Sequence, residues 1–262
     1  MKSRIARLPR VVALATLLSA PAFAQIPFRP IYEERFNFVH ERVQFRNGGK
    51  LGGPGTGVSG KIEDEAYFGI PRSSEQEKDG PAALAVAPIA PNSLSAFTCT
   101  FWYLLDEAGP ELQVPLSTAG VMFLMNESGF EVRIENQLEN PRFYGFTPGL
   151  NGPLSPWRAK HRWIFAAFSW NQTNNALTVH QGTPEAAVAY MRTMTRPTPA
   201  KPSLPRTDLT RFPESLGNTA KGLDRPLAGR LDNVRFFDRE LMREELEQIR
   251  QADLANAHIP LR

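Results

Sequence analysis

Beyond Ile62 the chain is built from short apolar stretches, several with every second position hydrophobic, set between clusters of Asn, Gly, Ser and Pro. Alternation with period two sends successive side chains to opposite faces, so this pattern predicts strands. They are expected at Ala83–Val86, Ala96–Leu104, Val121–Leu124, Glu131–Asn136, Trp163–Trp170, Ala176–His180, Ala187–Met191 and Arg230–Phe237. Asn126–Gly129, Asn171–Asn175 and Gln181–Pro184 punctuate them as turns, and the second is a hairpin loop because Asn tolerates the left-handed conformation. One segment has a helical period: over Met242–Ala252, Leu241, Leu246 and Ile249 supply apolar positions while Glu244, Glu245 and Glu247 face water. Many short strands and one terminal helix predict an all-β fold, a two-sheet antiparallel β-sandwich with the helix packed across its edge.

Upstream the pattern is sparser. Arg35–Val39 reads as one more strand, and the Gly-rich stretch Asn47–Gly60 reads as turns and loops. Its GGPGTG is not followed by Gly-Lys-Ser/Thr or by a helix signal, so it is no phosphate cradle. The Pro-rich segment Arg196–Pro205 reads as a stiff surface excursion within one domain.

The N-terminus has another logic. Lys2, Arg4, Arg7 and Arg10 precede the apolar run Val11–Leu18, and Ala22-Phe-Ala24 then offers small residues before Gln25. That order predicts a cleavable signal peptide over residues 1–24 and a periplasmic or extracellular destination. The run is too short for the roughly 20 residues that span a bilayer, and no later segment is long and apolar enough, so no membrane insertion is expected after cleavage. Residues 25–60 are expected to belong to the same domain as 61–262. The four basic side chains of the signal exceed the whole formal charge excess of +3. Without them the chain is near neutral and carries no electrostatic footprint for nucleic acid. The single cysteine, Cys99, rules out an internal disulfide and lies in an apolar run, where a buried inert thiol is expected.

The segment Pro226–Leu246, PLAGRLDNVRFFDRELMREEL, resembles the closing signature of the laminin-G-like, concanavalin A-like jelly-roll domains of bacterial secreted proteins. A Gly opens the last strand, an Asp stands shortly after it, apolar residues alternate, and a short acidic helix follows. Ser95–Tyr103 is similar to that family's early core strand ending in Trp, and His161–Leu177 to its central hairpin. Val179-His-Gln-Gly182 departs from the family's Tyr-x-Asn-Gly, and Met242 stands where a Ser or Thr normally caps the helix.

The resemblance implies a binding domain, often with one structural calcium ion held by a carboxylate and backbone carbonyls, since a hard cation prefers oxygen. Asp232 matches the family's Asp, and Glu65 with the Tyr67-Phe-Gly69 turn is the expected source of facing oxygens. An Asp at this place can equally satisfy nearby backbone donors. The superfamily also contains glycoside hydrolases, whose retaining members hold two carboxyls about 5–5.5 Å apart. Glu63-Asp64-Glu65 is contiguous, and Glu131 and Glu135 flank Arg133 on their face, so neither set fits and both read as solvated. His40, His161, His180 and His258 have no metal-ligand spacing.

Sugar recognition calls for aromatic faces beside polar groups. Pro141–Trp157 reads as a long Pro/Gly-rich loop holding such groups, with Arg142, Tyr144, Asn151 and Trp157 as expected ligand contacts. The same aromatics can instead pin the loop to the sandwich. Trp102, Trp163 and Trp170 fall in strand patterns and are expected in the core or on a sheet face. The expected function is that of an exported non-catalytic module binding a carbohydrate. The alternatives are a structural or protein–protein interaction module of an exported assembly, and a glycoside hydrolase or lyase.

Overall fold

The computed structural model describes residues 29–37, 43–46, 49–69, 84–86, 95–105, 113–117, 121–126, 129–136, 139–146, 160–171, 173–174, 176–195, 215–218 and 225–257. The expected signal peptide lies outside the described residues, as does the Pro-rich Arg196–Pro205. The strands are β1 (Tyr32–Glu34), β2 (Gln44–Arg46), β3 (Lys50–Leu51), β4 (Tyr67–Phe68), β5 (Leu84–Val86), β6 (Ala96–Leu105), β7 (Gln113–Ser117) and β8 (Val121–Asn126). They continue with β9 (Gly129–Asn136), β10 (Glu139–Phe146), β11 (Ile164–Asn171), β12 (Ala176–Gly182), β13 (Ala189–Thr195), β14 (Ser215–Leu216) and β15 (Gly229–Phe237), and helix α1 (Arg243–Leu254) closes the order.

These strands form two antiparallel sheets, the β-sandwich that the alternation predicts. One runs β13-β12-β11-β6-β15-β4-β3 with β1 also on β15, and the other runs β10-β9-β8-β7-β14-β5-β2. Between them lies an aromatic core. Phe168 of β11 meets Phe123 of β8 and Phe130 of β9 at ring-centroid distances of 4.8 and 5.4 Å, and Phe101 of β6 meets Phe123 at 5.5 Å. Such rings bury large apolar areas with defined packing geometry, which suits a domain that has no disulfide to close it. Cys99 sits in this core as a free thiol whose ionisation burial pushes well up.

The outer face of the β6/β11 sheet carries a second apolar cluster, in which Trp102, Phe165 and Phe237 take Leu246 and Ile249 of α1. The helix therefore packs flat on a sheet face and not across the sandwich edge. Met242 at its N-cap has no side-chain oxygen to offer, and the Glu245 carboxylate instead accepts the Met242 N–H at 2.8 Å. Arg239 holds that carboxylate in place with bonds of 2.6 and 3.0 Å.

Three expected elements differ. The strand placed at Arg35–Val39 is found at Tyr32–Glu34. The Glu34 carboxylate accepts the Phe36 N–H at 2.9 Å and Phe36 turns to φ 57°, which ends the extended run. The strand expected at Ala187–Met191 starts at Ala189, because Thr183 and Ala186 close a turn and Glu247 of α1 takes the Val188 N–H at 2.8 Å. Pro141–Phe146, expected in a loop, is part of β10 and pairs with β9.

Candidate functional site

The last strand contains the feature around which a buried polar cluster is built. Pairing of β15 with β6 keeps one register from Gly229↔Leu105 to Asp232↔Trp102, then resumes one residue out of step at Arg235↔Thr100. The extra residue makes a β-bulge, with Asn233 at φ 49°, a conformation Asn accepts more readily than most residues. Strict alternation would send Asp232 and Arg235 to opposite faces. The bulge turns both to the outer face while Val234 and Phe236 stay in the inner core.

There the fully buried Arg235 guanidinium meets Asp253 of α1 at 2.7 Å and Glu33 of β1 at 2.7 Å. It also donates to the Asn233 side-chain oxygen at 3.3 Å. Asp253 accepts the Trp102 indole N–H at 2.8 Å, so helix, sheet and first strand share one network. Burial disfavours the charge on Arg235, but the two carboxylates outweigh it and keep the group protonated. The end of the helix is tied down further: Arg35 and Asn37 both donate to the Asn256 side-chain oxygen, and Lys61 Nζ donates to the Ala255 carbonyl at 2.6 Å.

The Gly-rich loop is fastened beside this network by two acids. Consecutive N–H groups are taken by different carboxylates, Val58 by Asp232 Oδ2 at 2.9 Å and Ser59 by Asp64 Oδ2 at 2.8 Å. Asp232 Oδ1 accepts its neighbour's N–H, that of Asn233, at 2.7 Å. Asp64 lies so close over the loop that a Cβ at Gly57 would stand 2.4 Å from its carboxyl carbon. Burial and then the nearby Asp64 charge hold Asp232 well above the usual carboxylate range. Asp64 Oδ1 is buried with no hydrogen-bond partner.

The expected solvated Glu63-Asp64-Glu65 face is thus corrected at its centre. Glu63 is exposed and Glu65 half-buried, but Asp64 is wholly buried because the loop N–H groups draw it inward. Of the two readings left open for Asp232, the backbone-donor role is present. The carboxylate brought to Asp232 is that of Asp64; the main-chain N–H of Glu65 is taken by the Asn37 side chain at 3.1 Å. No cluster of three or more His, Cys, Asp or Glu side chains able to hold a metal occurs among the described residues. An ion here would have to combine Asp64 and Asp232 with main-chain oxygens, a donor set of the hard type that calcium takes.

The expected ligand residues lie elsewhere. Arg142 and Tyr144 are on edge strand β10, opposite Ile134 and Val132 of β9. Asn151 and Trp157 lie outside the described residues. Of the expected core tryptophans, Trp170 is in the inter-sheet core, Trp102 under the helix, and Trp163 half-buried against the helix cluster. Glu131 is half-buried on β9. His161 is exposed on the approach to β11 and His180 is buried on β12, while His40 and His258 lie outside the described residues.

Sequence reasoning missed Arg235 and Asp253. Asp253 did leave a signal, since it falls on the apolar helical stripe seven residues after Leu246 and four after Ile249. An acid on such a stripe needs a buried partner.

No family model matches this sequence, and no curated protein does. In structure the chain is similar to the binding domain of botulinum neurotoxin serotype G, with TM-score 0.53 and 8% identity over 85% of this chain and 51% of that one. It is also similar to the serotype D binding domain, with TM-score 0.52 and 10% identity over 80% of this chain and 46% of that one. A serotype D ligand binding domain in complex with N-acetylneuraminic acid matches with TM-score 0.51 and 11% identity, over 80% and 45% of the two chains. The chain thus spans about half the length of these domains. At such identities the likeness is one of fold.

Proposed function

We propose that this chain is an exported, non-catalytic carbohydrate-binding module of the laminin-G-like, concanavalin A-like type. The observation that carries the reading is the twin-sheet sandwich shared with toxin binding domains, one of them crystallised with a sialic acid. The basic, apolar, Ala-x-Ala order of residues 1–24 supports export. Asp64, Asp232 and Asp253 have no exposed surface, which removes these three acids from contact with a solvent-borne substrate.

The contact surface in this reading is the β10 edge and the segment after it, with Arg142, Tyr144, Asn151 and Trp157 providing stacking and hydrogen bonds. Binding of the mature chain to an array of defined oligosaccharides tests this directly. Trp157→Ala should lower retention on the array about tenfold, the loss expected for an aromatic anchor. Undiminished retention would remove that segment from the contact surface.

A structural calcium ion belongs to the same proposal. Asp64 and Asp232 would hold it, and its charge would offset two neighbouring buried carboxylates, one with an oxygen otherwise unpaired. Calcium at about 100 times its dissociation constant should add roughly 3 kcal/mol of stability by mass action. The melting temperature of chelator-treated protein should therefore rise on adding calcium, and not on adding it to Asp64→Asn. A wild-type melting temperature indifferent to calcium rejects the ion.

A further inference from the structure

A second bulge, in edge strand β13, does on the opposite margin of the same sheet what the β15 bulge does near its centre. Thr178 pairs with Thr193 and Val179 with Arg192, but His180 then pairs with Tyr190, leaving Met191 as the extra residue. Leu177 and Val179 belong to the inter-sheet core, so Thr178 and His180 face outward. Met191 and Met194 both pack on that core, and the bulge turns Tyr190 to the outer face beside Thr193.

The result is a small amphipathic surface. Tyr190 is 57% exposed, and its ring stands edge-on to the His180 imidazole at 5.9 Å and 74°. His180 is itself buried under it, with Nδ1 unpaired. Thr178 and Thr193 share one hydrogen bond at 3.0 Å, and the remaining donor and acceptor capacity of both hydroxyls faces solvent. These two hydroxyls end a row that crosses four strands through Ser169 and Thr98. The inner half of the row is covered, because Thr98 donates to the Arg239 carbonyl and accepts the Leu241 N–H. The outer half is open. Arg243 and Glu244, at the start of α1, are exposed and paired with each other at 3.4 Å, and both act electrostatically on His180.

We propose that Tyr190, Thr178 and Thr193 form a saccharide-binding platform for a single neutral pyranose ring. This rests on the carbohydrate-binding reading of the chain and adds a site to it. A pyranose has an apolar C–H face that packs on an aromatic ring and equatorial hydroxyls that both donate and accept. The platform offers one aromatic ring and two adjacent hydroxyls on a sheet, where a bulge and an underlying imidazole fix the ring. Its flanking pair Arg243–Glu244 is internally neutralised, and the exposed Arg192 of β13 stands opposite the core residue Val179 and so belongs to the other face of the sheet, which leaves a neutral sugar as the matching ligand. The aromatic ring supplies the anchor and the hydroxyls the orientation.

The test uses the mature chain on an array of neutral and sialylated oligosaccharides, followed by calorimetric titration with the strongest-binding neutral oligosaccharide. Tyr190→Ala should weaken that titration about tenfold, while Tyr190→Phe, which keeps the ring, should stay within about twofold of wild type. Thr178→Val with Thr193→Val should weaken it by a similar factor. Because Tyr190 is exposed, its variants should melt with the wild type, which separates lost contact from lost fold. Wild-type binding that Tyr190→Ala leaves unchanged overturns the platform and leaves the carbohydrate reading standing. A wild type silent across the array overturns both, and retention of sialylated oligosaccharides alone overturns the neutral-pyranose assignment.

Discussion

Arg235→Met should lower the stability of the fold by about 3–5 kcal/mol, the cost of removing one partner from a buried ion pair. In a chain of this size that corresponds to a fall in melting temperature on the order of 10 °C. The reason is what remains behind. Asp253, with no exposed surface, would lose its ion-pair partner and keep the Trp102 indole N–H and the field of Arg35, and Glu33 would lose its cation as well. Adding Asp253→Leu to the variant should restore much of the loss, because a buried pair replaced by apolar groups of similar volume is often neutral. Denaturant titration of the single and double variants measures both steps. A single variant within about 1 kcal/mol of wild type would mean that the network contributes no more than a surface pair does.

Gly229→Ala should be comparably severe for a steric reason. A Cβ there would stand 2.0 Å from the Leu104 carbonyl oxygen and 3.0 Å from Leu105 Cα, both main-chain atoms of the adjacent β6. Neither can swing aside, so β15 would have to leave β6 at the first rung of their ladder, Gly229↔Leu105. Overpacking of this kind costs about 1–3 kcal/mol where neighbours can adjust, and the rigid backbone here puts the change at or above the top of that range. Gly53→Ala makes the contrast: no atom lies within 4 Å of its Cβ, and only the positive φ of 92° opposes it. That substitution should cost about 1 kcal/mol. Equal losses at the two positions, measured by thermal melting, would contradict the close-approach argument.

Much of the architecture was legible in the one-dimensional pattern. Phe97, Cys99, Phe101 and Tyr103 alternate with Thr98, Thr100 and Trp102, and the structure divides them between the inter-sheet core and the outer face on that basis. The helix was legible from Leu246 and Ile249, and it starts within one residue of the expected place. Less legible were the two-residue strands β3, β4 and β14, because two residues contain no period and exist as strands only through their partners. Pro141–Phe146 misled for a related reason. Proline and glycine signal a loop locally, yet an edge strand tolerates both, and β9 supplies the pairing.

What the sequence determined by itself is the set of apolar faces, and with it an antiparallel sandwich carrying one amphipathic helix. Alternation and helical period are local properties, so composition and order suffice to write them. The tertiary structure alone decided which polar residues meet. One extra residue in β15 turned Arg235 to the face of Asp232, and one in β13 turned Tyr190 to the face of Thr193. A bulge is a mismatch between two strands distant in sequence, and neither strand records it alone. Pairing and burial across the fold brought Arg235 to Glu33 and Asp253, which match its charge, and Asp232 to Asp64, both of which accept main-chain N–H groups of the Gly-rich loop.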